Sequence, residues 1–387
     1  MKYRLTCLTP LLVGDGHKLS PIDYMVWKDH VNVLDQRRIF RLLAKGPRLE
    51  GYLQQLKRAD KLDFASWGGF AQNFADRRIP FEHSSAAAYW ERSSGETLHI
   101  PTFFSGPAGP YLPGSALKGA LRTGMLFSRW HSAAAPALEQ LLGDRLQGDR
   151  LPRHPGEEAE EQALGSAGAN FMRAVSISDS DTFPVSALKL YLLRVSTLVR
   201  KGPDQYELGW KQTPRGTVPG SKPELSTPLF AEMVEPGTII EGLWRENAFL
   251  AQPEIARMLH WREPVNSARL FAAANDYAER LLAIQKQYAV WTGLSALQHT
   301  LEVLEQWLAH VRETGAGCVL SLGWGGGLLG KTAWLETGDA AYRHVLKQIP
   351  LYARAVESGM PFPKTRRIVF LQNQPAALPG WVVLEVG

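Results

Sequence analysis

Apolar and polar positions alternate at the start of the chain. Tyr3, Leu5 and Cys7 fall on one side of an extended segment and Arg4 and Thr6 on the other, which predicts a half-buried strand from Lys2 to Leu8. A glycine-rich turn from Pro10 to Gly16 ends it. Tyr24 to Trp27 and Val31 to Leu34 flank Lys28-Asp-His30 and read as a β-hairpin. Asp35 then caps a helix through Leu43 that stops at Gly46 and Pro47. Strand, hairpin and short helix in this order point to α+β packing rather than a parallel βαβ wind.

Further along, Lys57 to Asp63 is predicted helical and Ser84 to Pro110 irregular. Residues 131–168 mix alanine, glycine and proline with Glu157, Glu158, Glu160 and Glu161, the composition of an exposed insertion. Phe171 to Ser178 and Leu188 to Leu198 are strand-like, and 200–228 carries turn residues at the density of a long loop or interdomain connection. Leu229 to Val234 and Thr238 to Trp244, joined through Pro236-Gly237, form a second hairpin candidate.

A helical block follows from about Ser267 to Arg312. Within it Val290, Leu294, Leu297, Leu301, Leu304, Leu308 and Val311 hold a heptad spacing that Gly293 interrupts, which favours a helix packed on its own sheet over a coiled coil. Apolar strands at Cys318 to Leu322, Arg367 to Leu371 and Trp381 to Val386 complete the pattern. The expected division is 1–200, with the insertion, and 201–387, which carries a glycine-rich loop at 323–330.

Composition changes this picture little. A chain of 387 residues can bury one large core or two ordinary ones, and 45% apolar with 21% charged residues is globular. The net charge of +5 suits a polyanionic partner. Cys7 and Cys318 lie in predicted strands without companions at metal-ligand spacing, so they read as core residues of a reducing compartment. No apolar run reaches membrane-spanning length and the N-terminus lacks a signal-peptide core, which points to the cytoplasm. The ten histidines form no H-x-x-x-H or H-E-x-x-H pair, and neither a metal nor a cofactor is expected.

Two motifs carry candidate chemistry. In Tyr111-Leu-Pro-Gly-Ser-Ala-Leu-Lys-Gly-Ala-Leu-Arg122, a Pro-Gly turn leads to Ser115 as N-cap and a helix with Leu117, Leu121 and Met125 on one face. Lys118 and Arg122, four residues apart, project together near a helix N-terminus, which makes a site for phosphates. The same residues also suit a capped helix with two solvated cations. In Gly323-Trp-Gly-Gly-Gly-Leu-Leu-Gly-Lys-Thr332, glycine density lets the backbone approach a ligand and form an anion-binding nest.

Gly325 to Thr332 also satisfies G-x-x-x-x-G-K-[ST], the phosphate loop of nucleotide hydrolases. Only 55 residues follow Thr332, and the strand Arg367 to Leu371 ends in Gln372 and Asn373 rather than an aspartate for Mg²⁺. Asp15, Asp23 and Asp35 are carboxylates available for metal-dependent RNA cleavage, although each also suits a turn or a cap. Trp67, Trp90 and Trp324 are candidate base-stacking surfaces.

Leu8-Thr-Pro-Leu-Leu-Val-Gly-Asp-Gly16, Leu19-Ser-Pro-Ile-Asp-Tyr24 and the Tyr111–Arg122 motif resemble the RAMP superfamily of CRISPR-associated proteins. The loop Gly323 to Gly330 with Lys331-Thr332 is similar to that superfamily's C-terminal glycine-rich loop, which accounts for the P-loop match. Motif order and length look most like the fifth, capping subunit family of the type III-A Csm effector complex. The resemblance covers both ends and the region around 170–180, but not clearly 131–165 or 200–228.

It implies an α+β fold of two ferredoxin-like, RNA-recognition-type modules. It further implies a non-catalytic subunit that caps the complex at the 3′ region of the CRISPR guide RNA and supports guide maturation in antiviral defence. Implied partners are the guide, the backbone RAMP subunit, a small helical subunit, host ribonucleases and nearby target RNA. By position, Gly114, Ser115, Lys118 and Arg122 would contact guide backbone, together with Gly323, Trp324, Gly325, Gly326, Gly327 and Lys331. Backbone subunits of such complexes cut target RNA with an aspartate ahead of the Pro-Gly-Ser motif. Asp23 therefore keeps open a catalytic backbone-type endoribonuclease, and the P-loop match a nucleotide hydrolase.

Overall fold

The computed structural model describes residues 1–58, 61–62, 73–130, 156–212, 219–261 and 264–387. Tyr3, Leu5 and Cys7 are buried while Lys2 and Arg4 are exposed, so the alternation read from sequence fixes the first strand, Lys2–Cys7, on one side of a sheet. That strand is the middle of five antiparallel strands, ordered Gly317–Ser321, Trp381–Val386, Lys2–Cys7, Ile239–Glu246 and Val175–Ser180. Leu5 sits between Ile240 and Leu384 in register.

A second antiparallel sheet is built around the 15-residue strand Leu188–Gly202. Leu229–Val234 and Gln205–Trp210 pair with successive parts of it, and Thr365–Leu371 followed by Gln374–Ala377 extends the sheet. Both sheets draw strands from either side of residue 200. The class is α+β, as the element order implied.

The second hairpin is a correction. Leu229–Val234 and Ile239–Glu246 exist as strands but do not pair, because they belong to different sheets. Their burial gives the reason. Leu229–Val234 is covered on both faces, whereas Ile239–Glu246 alternates between exposed and buried. The turn at Gly237, whose N–H donates to the Cys7 carbonyl, carries the chain from one sheet to the other. The irregular reading of 84–110 is corrected too: a helix spans Ser84–Glu91, its first turn held by Ser85 N–H on His83 Nδ1.

The helical block is two helices, Ser267–Thr292 and Ser295–Thr314, separated by Gly293 at φ 65°. Leu297, Leu301, Leu304, Leu308 and Val311 are buried in one core with Val319 and Val383 of the first sheet, the packing expected of the heptad stripe. Val290 is 63% exposed, because the left-handed turn at Gly293 breaks its register with the rest. Gly114–Arg129 crosses Ser267–Thr292 closely at Gly124, where a Cβ would lie 2.8 Å from Ala274 Cα.

A third sheet of Tyr24–Trp27, His30–Leu34 and Ala75–Pro80 contains the expected hairpin. Asp35 caps the following helix Gln36–Leu43 through Arg38 N–H at 2.9 Å. Arg77 of its edge strand forms a two-pronged pair with the fully buried Glu232 of the second sheet.

Cys7 and Cys318 are buried, and burial pushes the Cys7 thiol up to about 12 and the Cys318 thiol upward as well. Only thiolate reacts with alkylating reagents. Iodoacetamide at pH 8 is therefore expected to label neither cysteine in the native protein and both in denaturant, as read by mass spectrometry. Rapid native labelling would contradict the burial.

Candidate functional site

Strand Gly317–Ser321 runs into the glycine loop, and the loop's shape follows from what its backbone touches. Trp324 N–H donates to the Leu12 carbonyl at 2.7 Å, and a Cβ on Gly323, at φ 79°, would lie 2.2 Å from that oxygen. Gly325, at φ 103°, leaves no room either, since its Cβ would meet Pro379 Cγ at 2.4 Å. These two glycines let the loop press against the N-terminal turn and the lead-in to the last strand. Gly327 is exposed at φ 66° with nothing near its missing Cβ, so it presents bare backbone.

The loop is the wall between two clefts. The first, of about 480 Å³, lies between the N-terminal glycine turn, one face of helix Gly114–Arg129 and the loop. Lys18 and Lys331 line it opposite Ala116, Gly119, Ala120 and Thr123. The second, of about 660 Å³, lies beyond the loop, against Lys211, Arg366, Arg367 and the apolar side chains of Tyr352, Phe362 and Leu378. Ser321, Trp324, Gly330 and Lys331 border both. Among the described residues, no aspartate or glutamate lines either cleft. Lys18, Lys211 and Lys331 are exposed and pair with no carboxylate among the described residues. The result is a cationic surface carrying a backbone loop, suited to phosphates.

Arg366 and Arg367 differ sharply. Arg366 is buried, bonded to Gln285 Oε1 at 2.6 Å and to the Pro363 and Thr365 carbonyls, and stacked 4.4 Å over Tyr288. Burial pushes its guanidinium down to about 10. Arg367 lies 5.1 Å over the Trp324 ring, and its buried Nε has no hydrogen-bond acceptor among the described residues. Burial lowers this guanidinium also.

The motif helix does not present the surface expected of it. Pro113 is its N-cap residue, and Ser115 lies exposed inside the first turn without a capping bond. Asp179 Oδ1 instead accepts from Gly114 N–H at 2.8 Å, so the helix N-terminus already carries a carboxylate from the chain itself. Lys118 Nζ donates to the Val175 carbonyl at 2.8 Å and is partly desolvated, which lowers its pKa. Arg122 pairs with Glu160 of helix Glu157–Leu164. The four-residue spacing does set the two cations on one side, but that side faces strand Val175–Ser180 and the 157–164 helix.

The helix shows the first cleft small residues, and Gly114 serves close approach. A Cβ there would lie 2.5 Å from both the Ile177 and Ser178 carbonyl oxygens. Gly114→Ala is expected to cost roughly 1–3 kcal/mol, by the overpacking it forces. Chemical denaturation would measure this, and an unchanged midpoint would contradict the packing.

The nucleotide-hydrolase reading fails on geometry. Gly330 N–H is donated to the Gly326 carbonyl, and Lys331 and Thr332 N–H to the Leu328 carbonyl, so these donors turn inward. Thr332 Oγ1 accepts from Trp334 N–H, and the next helix begins only at Ala340. The candidate carboxylates are likewise engaged locally. Asp15 Oδ1 accepts from His17 N–H at 2.8 Å, and Asp23 Oδ2 from Ser20 N–H and Oγ at 2.7 and 2.6 Å. Among the described residues, no group of three His, Cys, Asp or Glu side chains could hold a metal, and no helix is long and apolar enough to cross a membrane. Trp90 is core, with Nε1 donating to Tyr24 Oη, while Trp67 lies outside the described residues.

Lys18, Lys211 and Arg367 escaped the sequence reading. Lys18 follows the Gly-Asp-Gly turn by two residues and Arg367 starts the predicted strand, so both were visible. What was missing is the folding that brings them to the loop.

The RAMP superfamily model matches residues 4–329. A CRISPR system protein, Csm5 of Methanocaldococcus jannaschii, is 22% identical over 423 aligned residues, covering 100% of this chain and 89% of the relative. Among solved structures, a chain of a cryo-EM Csm–crRNA–target RNA ternary complex of a type III-A CRISPR-Cas system matches with TM-score 0.63. It is 21% identical and covered completely on both sides. The crystal structure of T. onnurineus Csm5 matches with TM-score 0.57 at 19% identity, over 98% of this chain and 99% of that one.

Proposed function

This chain belongs to the RAMP superfamily, and from that premise we propose that it is the guide-RNA-binding cap subunit of a type III-A CRISPR effector complex, acting in the cytoplasm. The observation that carries the reading is the pair of clefts on either side of the glycine loop that no carboxylate of the described residues lines, with the exposed ammonium groups of Lys18, Lys331 and Lys211 around them. Ammonium groups and exposed backbone grip phosphates without reading sequence, which suits a guide whose spacer varies. The relative named Csm5 and the fold of the Csm complex chain support the assignment.

Contacts to RNA fall to Trp324, Gly327 and Lys331 of the loop, and to Lys18 across the first cleft. Gly323, Gly325 and Gly114 shape the site, while Ser115, Lys118 and Arg122 stand outside it. Two RAMP-type modules are the organisation we propose, divided between the two sheets rather than at residue 200. The subunit is non-catalytic in this reading, since Asp23 is tied to Ser20. The backbone RAMP subunit is its neighbour in the complex, with target RNA close by.

The test is crosslinking of the chain, purified with its complex from the native host, with sequencing of peptide and RNA. Guide RNA crosslinked near its 3′ end to peptides containing Lys331 or Lys18 is the expected result. A chain that carries no RNA, or that cleaves RNA in Mg²⁺ and loses this activity on Asp23→Ala, would overturn the reading.

A further inference from the structure

We propose that the second cleft is a pocket for one unstacked nucleotide of the bound RNA, its phosphate held by Arg367 and Lys211 and its base laid on Tyr352, Phe362 and Leu378. This rests on the RNA-binding reading and extends it across the glycine loop.

The contrast between two neighbouring arginines carries the inference. Arg366 and Arg367 sit side by side in one strand and line one cleft. Arg366 has acceptors supplied by Gln285 and two carbonyls, so the fold has provided for it. The Nε of Arg367 has none among the described residues, and a buried charged donor left unsatisfied is costly. Its guanidinium lies over the face of Trp324. Stacking of that kind keeps a guanidinium planar and oriented, and it is the terminal nitrogens of Arg367, not the shielded Nε, that a phosphate in the cleft would meet. Lys211, exposed on the same cleft, adds a second cation.

Size and lining agree. A volume of about 660 Å³ falls within the range of small-molecule sites, roughly 300–1,000 Å³. The apolar side chains opposite the cations offer a face on which any base can lie, which needs no sequence reading. Because Trp324 and Lys331 border both clefts, a strand gripped in the first has a continuous path around the loop into the second.

The experiment is titration of a fluorescein-labelled single-stranded RNA with wild-type protein, Arg367→Ala and Lys211→Ala over a series of KCl concentrations. Each variant is expected to bind about tenfold more weakly, for RNAs of different sequence alike. The salt dependence should fall by about 0.7 in log–log slope for each phosphate no longer neutralised. Lys211→Ala removes an exposed side chain, so it keeps the test informative if Arg367→Ala fails to fold. Unchanged affinity and slope in Lys211→Ala and in folded Arg367→Ala would overturn the pocket while leaving the RNA-binding reading in place. Wild-type protein that binds no RNA would overturn both. Titration of AMP separates the two sources of a nucleotide. AMP binding that Arg367→Ala abolishes without any change in RNA affinity would assign the cleft to a free nucleotide and overturn the proposal.

Discussion

Lys18→Glu combined with Lys331→Glu is expected to weaken RNA binding about a hundredfold at physiological salt, with little change in thermal stability. The two ammonium groups come from opposite ends of the sequence and face one cleft that no described carboxylate lines. Neither pairs with a carboxylate among the described residues, so the fold gives up little when they go. RNA loses two phosphate partners and meets two repelling charges, at about tenfold per 1.4 kcal/mol. Titration of labelled RNA against salt measures it, and the log–log slope should shrink by roughly 0.7 for each phosphate released. Lys118→Ala with Arg122→Ala is the matched comparison. Its effect on RNA should be small, because those cations are engaged with Val175 and Glu160. If the Lys118–Arg122 pair were the one whose loss abolished binding, the site would lie on the other face of the motif helix.

Arg77→Ala is expected to cost about 3–5 kcal/mol of stability, the usual consequence of stripping one partner from a buried ion pair. Glu232 is fully buried, and apart from Arg77 its carboxylate has the Phe103 N–H at 3.1 Å. Without the guanidinium a charge remains in the core between the third sheet and the second. Denaturant unfolding gives the number, and Glu232→Gln in the Arg77→Ala background should recover part of it. A loss below about 1 kcal/mol would place this pair with exposed ones, which contribute little. Phe103 adjoins Thr102, which lines the first cleft, so the same substitution should also loosen that wall.

What the sequence disclosed was mostly local. Period-two alternation located Lys2–Cys7, two short apolar runs around Lys28-Asp-His30 located the hairpin of Tyr24–Trp27 and His30–Leu34, and a continuous apolar run located the closing strand Trp381–Val386, because each signal lies within the segment itself. Asp35 was legible as a cap for the same reason. Pairing was not legible. Leu229–Val234 and Ile239–Glu246 look like a hairpin until distant partners compete for them, Lys2–Cys7 and Val175–Ser180 for the latter. The site shows the same limit. Helical spacing put Lys118 and Arg122 together correctly, but which way that face points is set by Val175 and Glu160. Arg367 was visible as the start of a strand, but its place in the site comes from Trp324 lying beneath it.

The antiparallel pairing of Lys2–Cys7 with Trp381–Val386 also sets a schedule for biosynthesis. Lys2 and Gly387 exchange both of their backbone hydrogen bonds, at 3.0 and 3.1 Å. On the ribosome, at roughly 5–20 residues per second, the first strand leaves the exit tunnel about 20–75 s before this neighbour exists. Its other neighbour, Ile239–Glu246, arrives sooner and covers one edge. For the remainder of translation the opposite edge is an open template for any passing strand. Closure of the first sheet thus waits for Trp381–Val386 to emerge, and until then the half-made sheet is what a chaperone would meet.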